Sequence, residues 1–218
     1  MKQEVSHTQK VLNIWAIVLI LWSFYRIFFK TSLPPWFDEF IAKPLVFIGP
    51  VYYFIIHVEK KSFFPAVDLS KKNLANTLMI GCGFGALFLL LGSIAYWVKM
   101  HSFFPANQSA GLLLSILGIS FATSISEEIL SRGFVLKRLY ADSHHFVSSV
   151  FLSSVLFFIL HIPMIMTDPA LQGIRLIQVM VSDFLLSLIV STLYLKTKNL
   201  WTPIIVHTCY ALALYLFI

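Results

Sequence analysis

Leu112-Leu113-Leu114-Ser115-Ile116-Leu117-Gly118-Ile119-Ser120-Phe121-Ala122-Thr123-Ser124-Ile125-Ser126-Glu127-Glu128-Ile129-Leu130-Ser131-Arg132-Gly133-Phe134-Val135-Leu136 is an apolar run broken by two adjacent carboxylates and one guanidinium. It is long enough to cross a hydrocarbon layer of about 30 Å as a helix, so it reads as a membrane span. A carboxylate in hydrocarbon costs at least about 2.5 kcal/mol even on insertion scales, so a chain that keeps two side by side is expected to use them.

The rest of the chain agrees with a membrane reading. Of its 218 residues, 58% are hydrophobic, 16% aromatic and only 12% charged, and the mean hydropathy is +0.83. Such a chain cannot hide its apolar surface in one soluble core. Seven apolar runs are expected to span: Val11–Phe29, Phe40–His57, Leu74–Val98, Leu112–Leu136, Val147–Met166, Ile174–Leu195 and Trp201–Ile218. The first lacks a small-residue cleavage site and reads as a retained span rather than a signal peptide. The expected architecture is an all-α polytopic membrane bundle of about seven transmembrane helices, residues 1–218 forming one integral membrane domain. The expected location is a prokaryotic cell membrane. Cys82 and Cys209 both lie in apolar runs and read as small core hydrophobes, not a disulfide framework. Gly81, Gly83 and Gly85 read as a close helix-packing face.

The net charge of +6 does not imply a nucleic-acid partner, because the basic residues sit at span ends. With alternating spans, Lys2, Lys10, Lys60, Lys61, Lys71, Lys72, Lys137, Arg138, Lys196 and Lys198 fall on the N-terminal side. Arg26, Lys30, Lys43, Lys99 and Arg175 fall opposite. This asymmetry predicts a cytoplasmic N-terminus and an external C-terminus.

Within the fourth span, Ser120, Ser124, Glu128 and Arg132 follow at i, i+4, as do Thr123, Glu127 and Ser131, so two neighbouring stripes form one polar face that must look inward. Glu128 can pair with Arg132, leaving Glu127 free to act as a base. His161 closes the run Phe157-Phe158-Ile159-Leu160-His161, and His207 lies in the last span. At about 1.5 Å per residue, Glu127 sits about 15 Å above Lys137 and His207 about 13 Å above Lys198, so the two meet near mid-membrane. His161 joins them if its helix enters the hydrocarbon near Val150, leaving His144 and His145 outside. Asp183, the other acid in an apolar run, reads as satisfying a neighbouring helix. Zinc ligation by Glu127, Glu128, His161 and His207 is conceivable, but no His-Glu-x-x-His pair exists. A transporter would also keep buried charges, yet no internal repeat is found.

Glu127-Glu128-x-x-x-Arg132, Phe157-x-x-x-His161 and Asn199-Leu200-Trp201-x-Pro203-x-x-x-His207 together resemble the three motifs of the CPBP (Abi) family, the CAAX proteases and bacteriocin-processing enzymes. The resemblance covers residues 110–215, the expected catalytic core. It implies an intramembrane glutamic-type endopeptidase without metal or cofactor. In that scheme Glu127, helped by His161, activates a water, His207 helps stabilise the oxyanion, and Arg132 pairs with the glutamates. Its partners would be the lipid bilayer and a peptide or protein substrate: a prenylated CAAX protein, a peptide pheromone or leader, or a membrane protein. The sequence departs from the family at Ala211, where the third motif has Asn or Asp. Loss of an oxyanion donor costs about 2.7–4 kcal/mol in a comparable hydrolase, with Thr208 and Tyr210 the nearest substitutes. The departure motivates an alternative, a catalytically impaired membrane adaptor or bacteriocin self-immunity protein.

Overall fold

The computed structural model describes residues 6–29, 34–106, 108–167 and 172–217. Lys2, Lys30 and Ile218, used in the reading above, lie outside the described residues. Among the described residues the chain is helical, with no strand. The helices are α1 (His7–Phe28), α2 (Pro35–Val58), the short α3 (Phe63–Ala66), α4 (Leu74–Met100), α5 (Ala110–Ser143), α6 (Phe146–Thr167), α7 (Ile174–Thr197) and α8 (Trp201–Phe217). Six are long and apolar enough to cross a membrane, and α8 is a shorter apolar helix of 17 residues. The chain is a multi-pass membrane protein built as a helical bundle. The helix α2 starts before Phe40 and α5 runs past Leu136, because Pro35 initiates the one and the polar turn Lys137–Ser143 prolongs the other beyond the apolar run.

Local chemistry explains several helix ends. Ser6 and Ser109 cap α1 and α5 by accepting from the backbone N–H of Gln9 and Leu112. Proline explains two departures from regular helix in α2, where Pro44 and Pro50 lack an N–H and their rings crowd the preceding turn. Wide π-helical turns flank them, at Asp38–Ala42 and Phe54–Val58. A third π segment, Ile129–Leu136, begins directly after Glu128. Its Gly133 is required by close approach: a Cβ there would lie 2.9 Å from Val67 Cβ.

The core of the bundle packs α8 against α4, α5 and α7, and α1 against α2 and α6. Gly85 makes the α4–α8 approach possible, since an added Cβ would sit 2.6 Å from Cys209 Sγ. Gly81 meets Ile205 in the same seam. Gly83 meets nothing, because two residues along a helix turn it to another face, so the packing face is Gly81 and Gly85, continued by Gly92 against Phe217. Cys82 is likewise exposed rather than core, for it neighbours Gly81 on the outward side. The outer surface carries large exposed apolar side chains such as Leu45, Met79, Leu114 and Val147, as expected of a face that meets lipid.

One end of the bundle gathers charge. Arg138 makes a bidentate pair with Glu59, both bonds at 2.7 Å. Asp68 accepts from Lys137 at 2.6 Å and from the Tyr194 hydroxyl at 2.7 Å. Thr8 donates its backbone N–H to Asp142 at 3.1 Å, and Asn199 donates to the carbonyls of Ser70 and Lys72. These bonds hold the start of α1, the α2–α4 connection, the end of α5 and the α7–α8 turn together, the grouping that alternating spans require. At the other end, Arg26 donates to Thr167 and Tyr25 to Asp38.

Candidate active site

The adjacent glutamates point into different surroundings. Glu128 is fully buried. Its Oε1 accepts from Arg132 Nη1 at 2.9 Å and faces His207 Nδ1 at 2.8 Å. A carboxylate only accepts, so His207 Nδ1–H is the donor and the imidazole is held with Nε2 turned toward Glu127. The Arg132 guanidinium is itself enclosed. It donates to Ser187 Oγ at 2.7 Å and to Ser191 Oγ at 3.3 Å on α7, and it lies 4.4 Å from the Phe157 ring centroid on α6. The i, i+4 spacing places Glu128 and Arg132 together, and two α7 serines take up the donors that one carboxylate cannot.

Glu127 is not left free. Its Oε1 lies 3.0 Å from Lys43 Nζ on α2, correcting the expectation that Arg132 pairs with both acids. Lys43 was read as an end-of-span cation, but it is buried, with Glu39 Oε2 at 2.6 Å on its other side. Glu39 in turn accepts from Thr123 at 2.7 Å, one turn before Glu127. The available signal was the spacing Glu39-x-x-x-Lys43 at the start of an apolar run, the same i, i+4 pairing seen at Glu128 and Arg132. Glu127 Oε2 is buried without a hydrogen-bond partner. It lies 3.5 Å from His161 Nε2 and 3.7 Å from His207 Nε2, both too long for a good N–H···O bond. His161 gives Nδ1–H to the Phe157 carbonyl at 3.0 Å, which leaves Nε2 of a neutral ring as an acceptor aimed at the same point. All five candidate residues, Glu127, Glu128, Arg132, His161 and His207, therefore converge, while His144 and His145 stay exposed at the α5–α6 turn.

Two spaces adjoin Glu127. A small one of about 10 Å³ is bounded by Glu127, His161, Ser131 and Lys43, about the volume that holds one water. A larger one of about 320 Å³ reaches from Glu127, His161 and His207 past Asp183, Tyr210 and Ala211 to Arg175. Asp183 accepts from the Tyr210 hydroxyl at 2.6 Å, so it satisfies a neighbouring helix while also lining this cavity. Ala211 offers the cavity only a methyl group. Thr208 donates to the Ile204 carbonyl at 2.7 Å and is thereby turned back into its own helix.

Residues 109–213 match the family model described as type II CAAX prenyl endopeptidase Rce1-like. This match supports the CPBP family of CAAX proteases, which the three motifs resemble. The matched segment contains Glu127, Glu128, Arg132, His161 and His207, and it begins at the Ser109 cap of α5. Neither the curated proteins nor the solved structures compared with the chain include a significant match. The family so described is one of intramembrane endopeptidases, hydrolases that act on peptide or protein substrates in the membrane. Helix α2, which supplies Lys43 and Glu39, lies outside the matched segment.

Proposed function

We propose that this protein hydrolyses a peptide bond, as the CPBP proteases it resembles do, with a water activated by Glu127 and without a metal ion. The observation that carries the reading is Glu127 Oε2, buried and without a hydrogen-bond partner, flanked by the Nε2 atoms of His161 and His207. A water there gives one O–H to the carboxylate and the other to His161 Nε2, so its lone pair is turned to a carbonyl in the larger cavity. Glu127 takes the proton as the C–O bond forms, then returns it to the leaving nitrogen as the C–N bond breaks. His207, oriented by Glu128, gives a hydrogen bond from Nε2 to the oxyanion when the ring carries both protons. Arg132 balances the charge of Glu128 and holds it in place.

The family description suggests the probe: a quenched fluorescent peptide ending in a prenylated Cys-aliphatic-aliphatic-X sequence, presented to purified protein in lipid vesicles. Glu127→Gln is expected to lower kcat by about 10²–10⁴-fold with helicity intact, and a chelator to leave it unchanged. Cleavage lost on chelation and restored by zinc overturns the glutamate mechanism.

Ala211 favours a second reading, a catalytically impaired adaptor or bacteriocin self-immunity protein, because both substitute donors near it are engaged: Thr208 with Ile204 and Tyr210 with Asp183. Ala211→Asn separates the two. A raised kcat with KM unchanged marks an enzyme short of one donor. A wild type and an Ala211→Asn variant that are both inert, beside a biological phenotype that survives Glu127→Ala, mark the adaptor.

The orientation of the bundle is part of the same proposal. The basic residues gathered at the Glu59 and Arg138 end support an orientation with that end and the N-terminus in the cytoplasm of a prokaryotic cell. Reporter fusions are expected to find residues 65 and 140 inside and the C-terminus outside. A cytoplasmic C-terminus breaks the assignment.

A further inference from the structure

We infer that Lys43 is a positioning residue of the active site, holding Glu127 by one carboxylate oxygen so that the other faces the two imidazoles. The inference rests on the peptidase reading and extends it to a helix that the family match does not reach. Lys43 is enclosed on three sides: Glu39 Oε2 at 2.6 Å, Glu127 Oε1 at 3.0 Å and the Trp22 ring centroid at 5.6 Å. An ammonium in hydrocarbon is costly unless paired, and here two carboxylates meet it.

The geometry does more than neutralise charge. Glu127 could turn either oxygen toward His161 and His207, or swing into the 320 Å³ cavity that it lines. Lys43 removes that freedom by binding Oε1, and Glu39 removes the freedom of Lys43. Glu39 is itself tied by Thr123, one turn before Glu127. The result is a closed circuit from α5 through Glu39 and Lys43 back to α5 at Glu127, with only Oε2 left over. The π-helical turn Asp38–Ala42 ends at Lys43, whose backbone N–H reaches the Asp38 carbonyl. This widened turn sets the azimuth of both Glu39 and Lys43, and such turns recur at functional sites.

A general base displaced by about 1 Å can cost about 10²-fold in rate. Lys43→Met is therefore expected to lower kcat by about 10²-fold on the prenylated peptide with KM nearly unchanged, and Lys43→Arg to restore most of it. The paired variant Lys43→Met, Glu39→Gln removes one charge of each sign. It is expected to recover thermal stability but not kcat, whereas a merely structural role predicts that both recover together. Glu127→Gln keeps the two claims apart. If Glu127→Gln still cleaves, the glutamate mechanism fails; if it is inert while Lys43→Met keeps full kcat, only the positioning role fails. An inert wild type overturns both.

The contact has a test that needs no turnover. Dicyclohexylcarbodiimide activates a buried carboxylate, and an amine in contact then displaces the urea to form an amide, with net loss of water from the pair. Mass spectrometry of the treated protein in lipid is expected to find Lys43 joined to Glu127 or Glu39. Absence of both crosslinks, with the carboxylates labelled, overturns the pairing.

Discussion

Two charged regions of this bundle use the same residue types to different ends. At the polar end, Glu59 with Arg138 and Asp68 with Lys137 and Tyr194 form pairs whose carboxylate oxygens all meet donors. At mid-membrane, Glu127 and Glu128 each use one oxygen on cations or imidazole and leave Oε2 without a hydrogen-bond partner. The end cluster closes connections between helices, whereas the central cluster carries excess acceptor capacity beside a cavity. Incomplete satisfaction of buried polar atoms is costly, and two adjacent glutamates that each keep an unpartnered carboxylate oxygen are what a site for a polar reactant looks like. The two glutamates differ again. Glu128 is sealed among Arg132, His207 and the α7 serines, while Glu127 borders both spaces.

That contrast can be broken by experiment. The largest effect is expected at Arg132, whose removal leaves the Glu128 charge uncompensated in the bundle. Arg132→Met should destabilise the protein by about 3–5 kcal/mol, read as unfolding in detergent or bicelles. A change below about 1 kcal/mol would mean that water reaches Glu128. A smaller loss is expected at the polar end from Asp68→Asn, which tolerates the positive φ of 57° at that position while weakening a partly exposed ion pair and a hydrogen bond. About 1–2 kcal/mol is expected there, with peptide cleavage unaffected; loss of cleavage would join the two regions that the comparison separates.

The smallest effect concerns acid. Burial alone would raise the Glu59 carboxyl, but the hydrogen-bonded Arg138 guanidinium outweighs it, helped by Lys61 and His7, and holds the group below its ordinary 4.5. A carboxyl lowered in the folded state contributes stability that is full above the unfolded value and is lost as pH falls through the folded one. The protection of amides in residues 59–66, meaning the intrinsic exchange rate divided by the observed one, should therefore fall below a pH of about 4.5, and Glu59→Gln should remove that dependence. Protection that is flat with pH in the wild type would mean that the pair does not hold this end.

The sequence by itself determined the helical spans, because apolar run length is a one-dimensional property, and it determined the Glu128–Arg132 pair, because i, i+4 neighbours on one helix need no other helix to meet. It also marked His161 and His207, through depth along their runs and through motif spacing. The tertiary structure alone decided which cation each glutamate holds. Lys43 stands 84 positions before Glu127 on a helix whose rotation is set by π turns, and a polar residue near a span end looks the same whether it faces the interface or a partner. Depth did not reveal that Asp183 and Tyr210 meet, since two helices at one depth can face toward or away from each other. Gly83 and Cys82 were misplaced for the same reason: azimuth on an apolar helix is invisible when every face is apolar, and only packing against α8 selected the face of Gly81 and Gly85.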